Sequence, residues 1–267
     1  MIPNVLSIAG SDPSGGAGIQ ADLKAMSANK TFAMAAITAL TAQNTQGVTG
    51  IELVPPAFVK QQIATIFEDI RVDAVKIGMV ATAHIAEAIA DALEEHPDVP
   101  VVLDPVMVAK GGARLLSGDA VAALRSRLVS LATVITPNLP EAADLLGVST
   151  AKSRAEMEEQ ATQLQSFGAK AVLLKGGHLE GDESPDLLMS DAGATWFEGA
   201  RTKTSNTHGT GCTLSATLAS HLANGADLTT AVAASKAFIA AAIAGADRLS
   251  VGHGHGPTHH FSELWSK

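Results

Sequence analysis

The sequence predicts an α/β fold: a central, mostly parallel sheet covered by helices on both faces, with a small antiparallel hairpin at one edge. Three observations carry this expectation. Short apolar runs alternate along the chain with segments of helical period, joined by short connections. The runs are near-continuous Val, Ile and Leu, as in strands buried on both faces. Late in the chain, residues 187–189 and 194–197 flank Ser190-Asp191-Ala192-Gly193, a turn between two strand-like runs.

Taken in order, residues 5–9 read as the first strand, and Ile19, Leu23 and Met26 then recur at helical spacing. Residues 35–40 read as the second strand. Pro56 stands at a first helical position, where a missing N–H breaks no hydrogen bond, and Val59, Ile63, Ile66, Phe67 and Ile70 follow on one face. Residues 74–77 form a strand, and Ile85, Ile89, Ala92 and Leu93 mark a helix. Residues 99–103 form a strand, Val121, Leu124 and Leu128 mark a helix, and residues 133–135 form the next strand. Ser153 with Glu156 has the form of a capping box opening a further helix. Residues 171–174 are another strand, the hairpin follows, and two helices close the chain. No linker, low-complexity block or internal repeat interrupts this order, so residues 1–267 read as one domain. In such sheets ligands bind beyond the carboxyl ends of the strands.

Composition narrows the function. The 267 residues are 46% hydrophobic, enough for a large core. A net charge of −9 argues against a broad nucleic-acid footprint, and 3% aromatic content with no Tyr argues against a stacking platform for single strands. One cysteine excludes an internal disulfide and fits a reducing compartment. The N-terminus has no basic region of a secretory signal, and the longest apolar run, residues 237–246, is too short to span a bilayer. The expectation is a soluble cytoplasmic protein with neither membrane nor nucleic acid as partner.

The most informative stretch is residues 206–216, Asn-Thr-His-Gly-Thr-Gly-Cys-Thr-Leu-Ser-Ala. A glycine-rich turn leads directly into an apolar-periodic segment that runs to about Leu222. Gly209, Thr210, Gly211 and Cys212 would open a helix whose first amides have no intrahelical partner and lie at the positive end of its dipole. Such a turn binds phosphate. His208 lies in the same turn and shapes it.

The other motifs fall at strand exits. Residues 9–22 form a glycine-rich loop, but no Lys follows Gly10 and Gly15 as a P-loop requires. The loose dinucleotide fingerprint from Gly16 is separated from the strand by Gly10 through Gly15, so a loop approaching a small substrate fits better. Gln43 offers a donor beside an acceptor, the pattern that matches an amino group next to a ring nitrogen. Asp104 follows one strand, Asn138 and Glu141 the next, and Lys175 the one after. A carboxylate at that depth can hold Mg²⁺ and a Lys can reach phosphate. His253, His255, His259 and His260 have spacing compatible with a metal, but the intervening Gly and Pro point to a surface loop.

Together these residues closely resemble the hydroxymethylpyrimidine/phosphomethylpyrimidine kinases of thiamine biosynthesis, within the ribokinase-like superfamily. The resemblance runs from Ala9 to about His260 and rests on residues 9–22, 38–45, 75–79, 102–112, 136–141, 175–179, 206–216 and 254–257. Ribokinase-like relatives usually have Asp where this chain has Cys212, and the pyrimidine kinases look like the Cys subgroup. The resemblance implies a ribokinase-like three-layer αβα sandwich, a homodimer, and ATP with Mg²⁺. It implies phosphorylation of 4-amino-5-hydroxymethyl-2-methylpyrimidine and then of its monophosphate to the diphosphate. By position, Gln43 would hold the pyrimidine edge, while Gly10, Asp22, Met79 and Val106 line the pocket. Asp104, Asn138 and Glu141 would organise Mg²⁺ and phosphates, Lys175 would contact them, and Cys212 would stand where a base belongs. Ala109, Lys110, Gly111 and Gly112 resemble a flap over the substrate. Some pyridoxal-active relatives carry Cys at the position of Ala109, so a pyridoxal or bifunctional kinase is the alternative enzyme. A ligand sensor on a kinase scaffold is the alternative outside catalysis. A helix N-terminus favours thiolate, yet a thiolate made too stable is a poor base for an alcohol.

Overall fold

A computed structural model of the chain describes residues 1–107 and 117–265. In chain order the elements are β1 (Asn4–Ala9), α1 (Gly18–Ala28), β2 (Phe32–Ile37), β3 (Ala39–Asn44), β4 (Gly47–Leu53), α2 (Pro56–Asp69), β5 (Ala74–Ile77), α3 (Ala83–Leu93), β6 (Val101–Leu103), α4 (Gly118–Ala123), β7 (Val134–Ile135), α5 (Leu139–Leu146), α6 (Arg154–Gln165), β8 (Ala171–Lys175), β9 (Asp186–Ser190), β10 (Gly193–Phe197), α7 (Thr210–Ala223) and α8 (Leu228–Ala244). A π-helical turn, Leu124–Leu128, continues α4.

The main sheet has eight strands in the order β10-β9-β8-β7-β6-β5-β1-β2. The pairs from β2 through β8 are parallel, while β9 and β10 run antiparallel at the edge. Both faces are apolar with the two-residue period of a strand. Leu6, Ile8, Val75, Ile77, Leu103, Val172 and Leu174 pack against residues of α2 to α6. Val5, Ala74, Val102, Val134 and Leu173 pack against α1, α7 and α8. Three layers result, helices on sheet on helices. The chain passes from β1 outward to β2 and returns to the other side of β1 at β5. That reversal is the switch point where an open α/β sheet leaves a crevice for ligands.

Two expectations are corrected here. The stretch 35–40 is not one strand. Thr38 is fully buried, donates Oγ1 to the Met79 carbonyl (2.7 Å), and the chain leaves the main sheet there. β3 then pairs antiparallel with β4 in a separate two-stranded sheet, with a register irregularity between Ala42 and Gln43. The apolar segment near the C-terminus is also longer than the run 237–246 suggested. Leu228–Arg248 is long and apolar enough to cross a membrane by length and composition alone. In this fold Ala231, Val232, Ile239 and Ala242 on that helix are buried in the same cluster as Leu214 and Leu218 of α7.

Candidate active site

Side chains close most helix starts: Thr82, Ser117, Asn138, Ser153 and Asp227 cap α3, α4, α5, α6 and α8. The start of α7 has no such cap. Its N-cap residue is Gly209, in the left-handed region with φ 78°, where an added Cβ would overlap the Gly16 carbonyl. No side chain therefore caps the amides that begin α7; the Thr210 amide donates to the Thr207 carbonyl (3.4 Å), and residues 209–212 line the crevice. Gly211 opens the approach further, since a Cβ there would stand 3.3 Å from Lys175 Nζ and 3.4 Å from Asp104 Oδ2.

Asp104 is the centre of the charged cluster. Its side chain is buried, and Oδ1 accepts from Lys175 Nζ (3.0 Å) and Thr136 Oγ1 (3.2 Å). Ser215 Oγ, one turn into α7, donates to Oδ2 (3.4 Å). Burial alone would lower the Lys175 ammonium, but the Asp104 and Glu141 carboxylates outweigh it and hold the group above its ordinary range. Glu141 is pushed up to about 7 by burial, with the neighbouring Asp104 charge acting in the same sense.

Asn138 and Glu141 form a complete capping box. Asn138 Oδ1 accepts from the Glu141 amide (2.9 Å) and Glu141 Oε2 accepts from the Asn138 amide (2.8 Å). At Ser153 the expected box is half formed: Ser153 Oγ accepts from the Glu156 amide, but Glu156 Oε2 takes the Lys152 amide instead. Glu141 is thus oriented by its own helix start before any ligand arrives.

Cys212 corrects the expectation of a thiolate. Burial pushes its thiol up to about 11, more than the nearby Lys76 ammonium offsets. Asp22 does not line the crevice. It is fully buried behind it, where Lys76 Nζ meets its two oxygens at 2.9 and 2.8 Å and Ser7 Oγ donates at 2.6 Å. Lys76 lines the cavity from that position, held charged by Asp22 against the lowering effect of burial.

A cavity of about 540 Å³ occupies the crevice. Gly10, Gln43, Met79, Val106, Asp104, Asn138, Glu141, Lys175 and the turn 209–212 all line it. Gly10 and Met79 meet at the switch point, where a Cβ on Gly10 would overlap the Met79 methyl group. A second cavity of about 930 Å³ is lined by Trp196, Phe197, Leu214, Lys236 and Ile239, among others. Asn138, Lys175, Thr210 and Gly211 line both. The flap residues 109–112 lie outside the described residues.

Several site residues escaped the sequence reading. Asp12 and His208 form a buried pair (Oδ2 to Nε2, 2.7 Å) in the cavity wall. Lys76 was visible as a charge inside an otherwise apolar strand, a pattern that signals a paired buried group. The C-terminal histidines divide. His253 and His255 are exposed, whereas His259 and His260 are buried, so the surface-loop expectation fails for the second pair. Thr213 Oγ1 of α7 lies 2.9 Å from His260 Nε2, and burial drives that imidazole down to about 3. Among the described residues no group of three or more His, Cys, Asp or Glu side chains converges as a metal cage. One or two carboxylates beside a phosphate site is instead the donor set that suits Mg²⁺, which keeps several waters and takes its other ligands from substrate phosphates.

Comparisons with known proteins agree with this architecture. A family model described as Phosphomethylpyrimidine kinase matches residues 12–259. The chain is 50% identical to the hydroxymethylpyrimidine/phosphomethylpyrimidine kinase of Escherichia coli K12, over 98% of each chain. It superposes on a crystal structure of phosphomethylpyrimidine kinase from Clostridium difficile 630 with a TM-score of 0.81 and 42% identity, covering 90% of this chain and 99% of that one. An ADP complex of Bacillus subtilis pyridoxal kinase gives a TM-score of 0.90 at 37% identity, over 98% and 99% of the two chains. The mostly parallel sheet, the uncapped α7 and the matches over nearly the whole length lead to one conclusion: the chain belongs to the phosphomethylpyrimidine kinase family.

Proposed function

We propose that the protein transfers the γ-phosphoryl group of ATP to the hydroxymethyl oxygen of 4-amino-5-hydroxymethyl-2-methylpyrimidine, and then phosphorylates that monophosphate to the diphosphate, in thiamine biosynthesis. The observation that carries this reading is the shared wall of the two cavities. A nucleotide in the larger cavity and a pyrimidine in the smaller one would meet at Lys175, Thr210 and Gly211.

In this reading the amides of residues 209–212 and Lys175 hold the γ-phosphoryl group as charge spreads over its oxygens. Phosphoryl transfer depends mainly on such positioning and neutralisation. The hydroxymethyl oxygen attacks phosphorus, the bond to the β–γ bridging oxygen breaks, ADP leaves with that electron pair, and the hydroxyl proton passes to solvent water as the new P–O bond forms. A Cys212 thiol near 11 is protonated at neutral pH, so it cannot take that proton in advance. Gln43 orients the aminopyrimidine edge, and Gly10, Met79 and Val106 shape the pocket floor. Asp104 and Glu141, with Asn138 orienting Glu141, would hold Mg²⁺ through water and phosphate. The ion would supply further neutralisation of the phosphate charge.

The deciding experiment incubates the protein with ATP, Mg²⁺ and the pyrimidine alcohol and reads products by mass. Successive monophosphate and diphosphate are expected, and neither appearing overturns the reading. Pyridoxal serves as the competing substrate, motivated by the Bacillus subtilis structure, and is expected to be the poorer one because, by the family resemblance, some pyridoxal-active relatives carry Cys where this chain has Ala109. We further propose a cytoplasmic homodimer that buries the β3–β4 hairpin, whose Leu40, Ile51 and Leu53 are 49%, 47% and 47% exposed. Light scattering on Ile51→Lys should show a monomer where the wild type is a dimer.

A further inference from the structure

The pair Asp12–His208 fastens the loop after β1 to the turn before α7, and its chemistry reaches one residue further, to Gln43. Asp12 is fully hydrogen-bonded. Oδ1 accepts from the Ser14 amide (2.9 Å) and Ser14 Oγ (2.6 Å), and Oδ2 accepts from the Ala17 amide (2.9 Å) and His208 Nε2 (2.7 Å). Burial alone would raise its carboxyl, but the bonds from His208 and Ser14 outweigh this and hold it below the usual range. An ionised carboxylate only accepts hydrogen bonds, so the ring nitrogen 2.7 Å away must carry the proton. The backbone fixes the ring's position from the other side: the His208 amide donates to Gly256 O (3.0 Å), and its carbonyl accepts from the Thr258 amide (3.3 Å).

The same Nε2 lies 3.4 Å from Gln43 Nε2. Two protonated nitrogens offer each other no bond. Had the ring presented a lone pair there, it would have captured the Gln43 amide hydrogens. Gln43 Oε1 meanwhile sits 3.3 Å from Thr41 Oγ1. With no acceptor offered by the ring, the Gln43 amide hydrogens are left for a ligand in the cavity that Asp12, Gln43 and His208 all line.

We propose that Asp12 and His208 are positioning residues for substrate choice: Asp12 keeps the His208 proton on Nε2, which leaves the Gln43 amide hydrogens for the ring nitrogen of an aminopyrimidine. This rests on the functional reading above. Neither residue needs to touch the reacting atoms.

The test is a double-mutant cycle read by calorimetric binding of the pyrimidine alcohol. Asp12→Asn removes the charge that fixes the ring proton and should weaken binding about tenfold, the order of one hydrogen bond. Gln43→Leu should do the same. The double variant should stay within about twofold of Gln43→Leu alone, because Asp12 acts through Gln43. Affinity for a non-hydrolysable ATP analogue should be unmoved in Asp12→Asn. If Asp12→Asn does not fold, His208→Gln enters the same cycle, since its carbonyl would capture the Gln43 donors. Losses that multiply in the double variant, or equal weakening of the nucleotide analogue, overturn the inference. Absence of pyrimidine binding by the wild type removes the functional reading and the inference with it; wild-type binding with multiplicative losses removes the inference alone.

Discussion

At one end of the site, Gly209 and Gly211 lie against a cluster of buried charge in which Asp104 is held at once by Thr136 just after β7, by Lys175 of β8 and by Ser215 of α7. At the other end, Gln43 sits on a two-stranded hairpin outside the main sheet, and the walls are side chains from loops after β1 and β5. The end proposed for phosphate is fixed by the fold itself. The acceptor end is assembled from separable pieces. Damage to the first should therefore appear in turnover, and damage to the second in the affinity for one substrate.

The largest effect should come from Gly209→Ala. The substitution strains a left-handed residue and pushes a methyl into the Gly16 carbonyl, and turnover should fall at least ~100-fold, the scale of losing preorganised amide donors. Steady-state kinetics with circular dichroism to confirm folding checks it. Lys175→Met should follow closely, at about 100-fold in kcat, since it also leaves Asp104 buried without its cation. Gln43→Leu should leave kcat nearly unchanged and raise the pyrimidine KM about tenfold, with the ATP KM constant. A matching rise in the ATP KM would erase the contrast between the two ends.

Cys212→Ala tests the same contrast from inside the turn. A thiol near 11 contributes little thiolate, so the loss should be only a few-fold and smaller than that of Gly211→Val. A milder loss at Gly211 would break the assignment. In the same way, iodoacetamide should modify Cys212 slowly at pH 7 and faster as pH approaches 11.

Glu141 gives the smallest effect, on stability. Its folded pKa near 7 lies above the ordinary 4.5, so the unfolded chain releases this proton at lower pH than the folded one. The contribution is fully present below about 4.5 and is lost as pH rises through about 7. Glu141→Gln should therefore raise Tm by a few degrees at pH 8 and leave it unchanged at pH 4, while lowering activity. Thermal scans at the two pH values check it.

The sheet was legible because its strands are apolar on both faces. Residues 74–77 form β5 as read, and the hairpin of β9 and β10 appears at the edge as expected. The β3–β4 hairpin was not legible. Its apolar start merges with β2 in sequence, and only the Thr38 contacts made in three dimensions separate them. The gathering of Asp104, Asn138, Glu141 and Lys175 at the strand exits was visible, each lying next to a turn signal, and all four line one cavity. What single positions could not reveal was pairing. Asp22 looks like a pocket acid until Lys76 is placed beside it, and His208 looks like a turn residue until Asp12 meets it. His259 and His260 read as surface because their burial comes from packing late in the chain.

The turn proposed to bind phosphate leans on the far end of the polypeptide: His208 forms a parallel bridge with Pro257, and an added Cβ on Gly256 would overlap the Asn206 side chain. Deleting the residues from Gly256 onward should thus silence the enzyme without touching a ligand contact. Affinity tags and fusion partners are better tolerated at Met1, which is fully exposed and held by a contact of its sulfur with Arg71, than spliced in before that strap is complete.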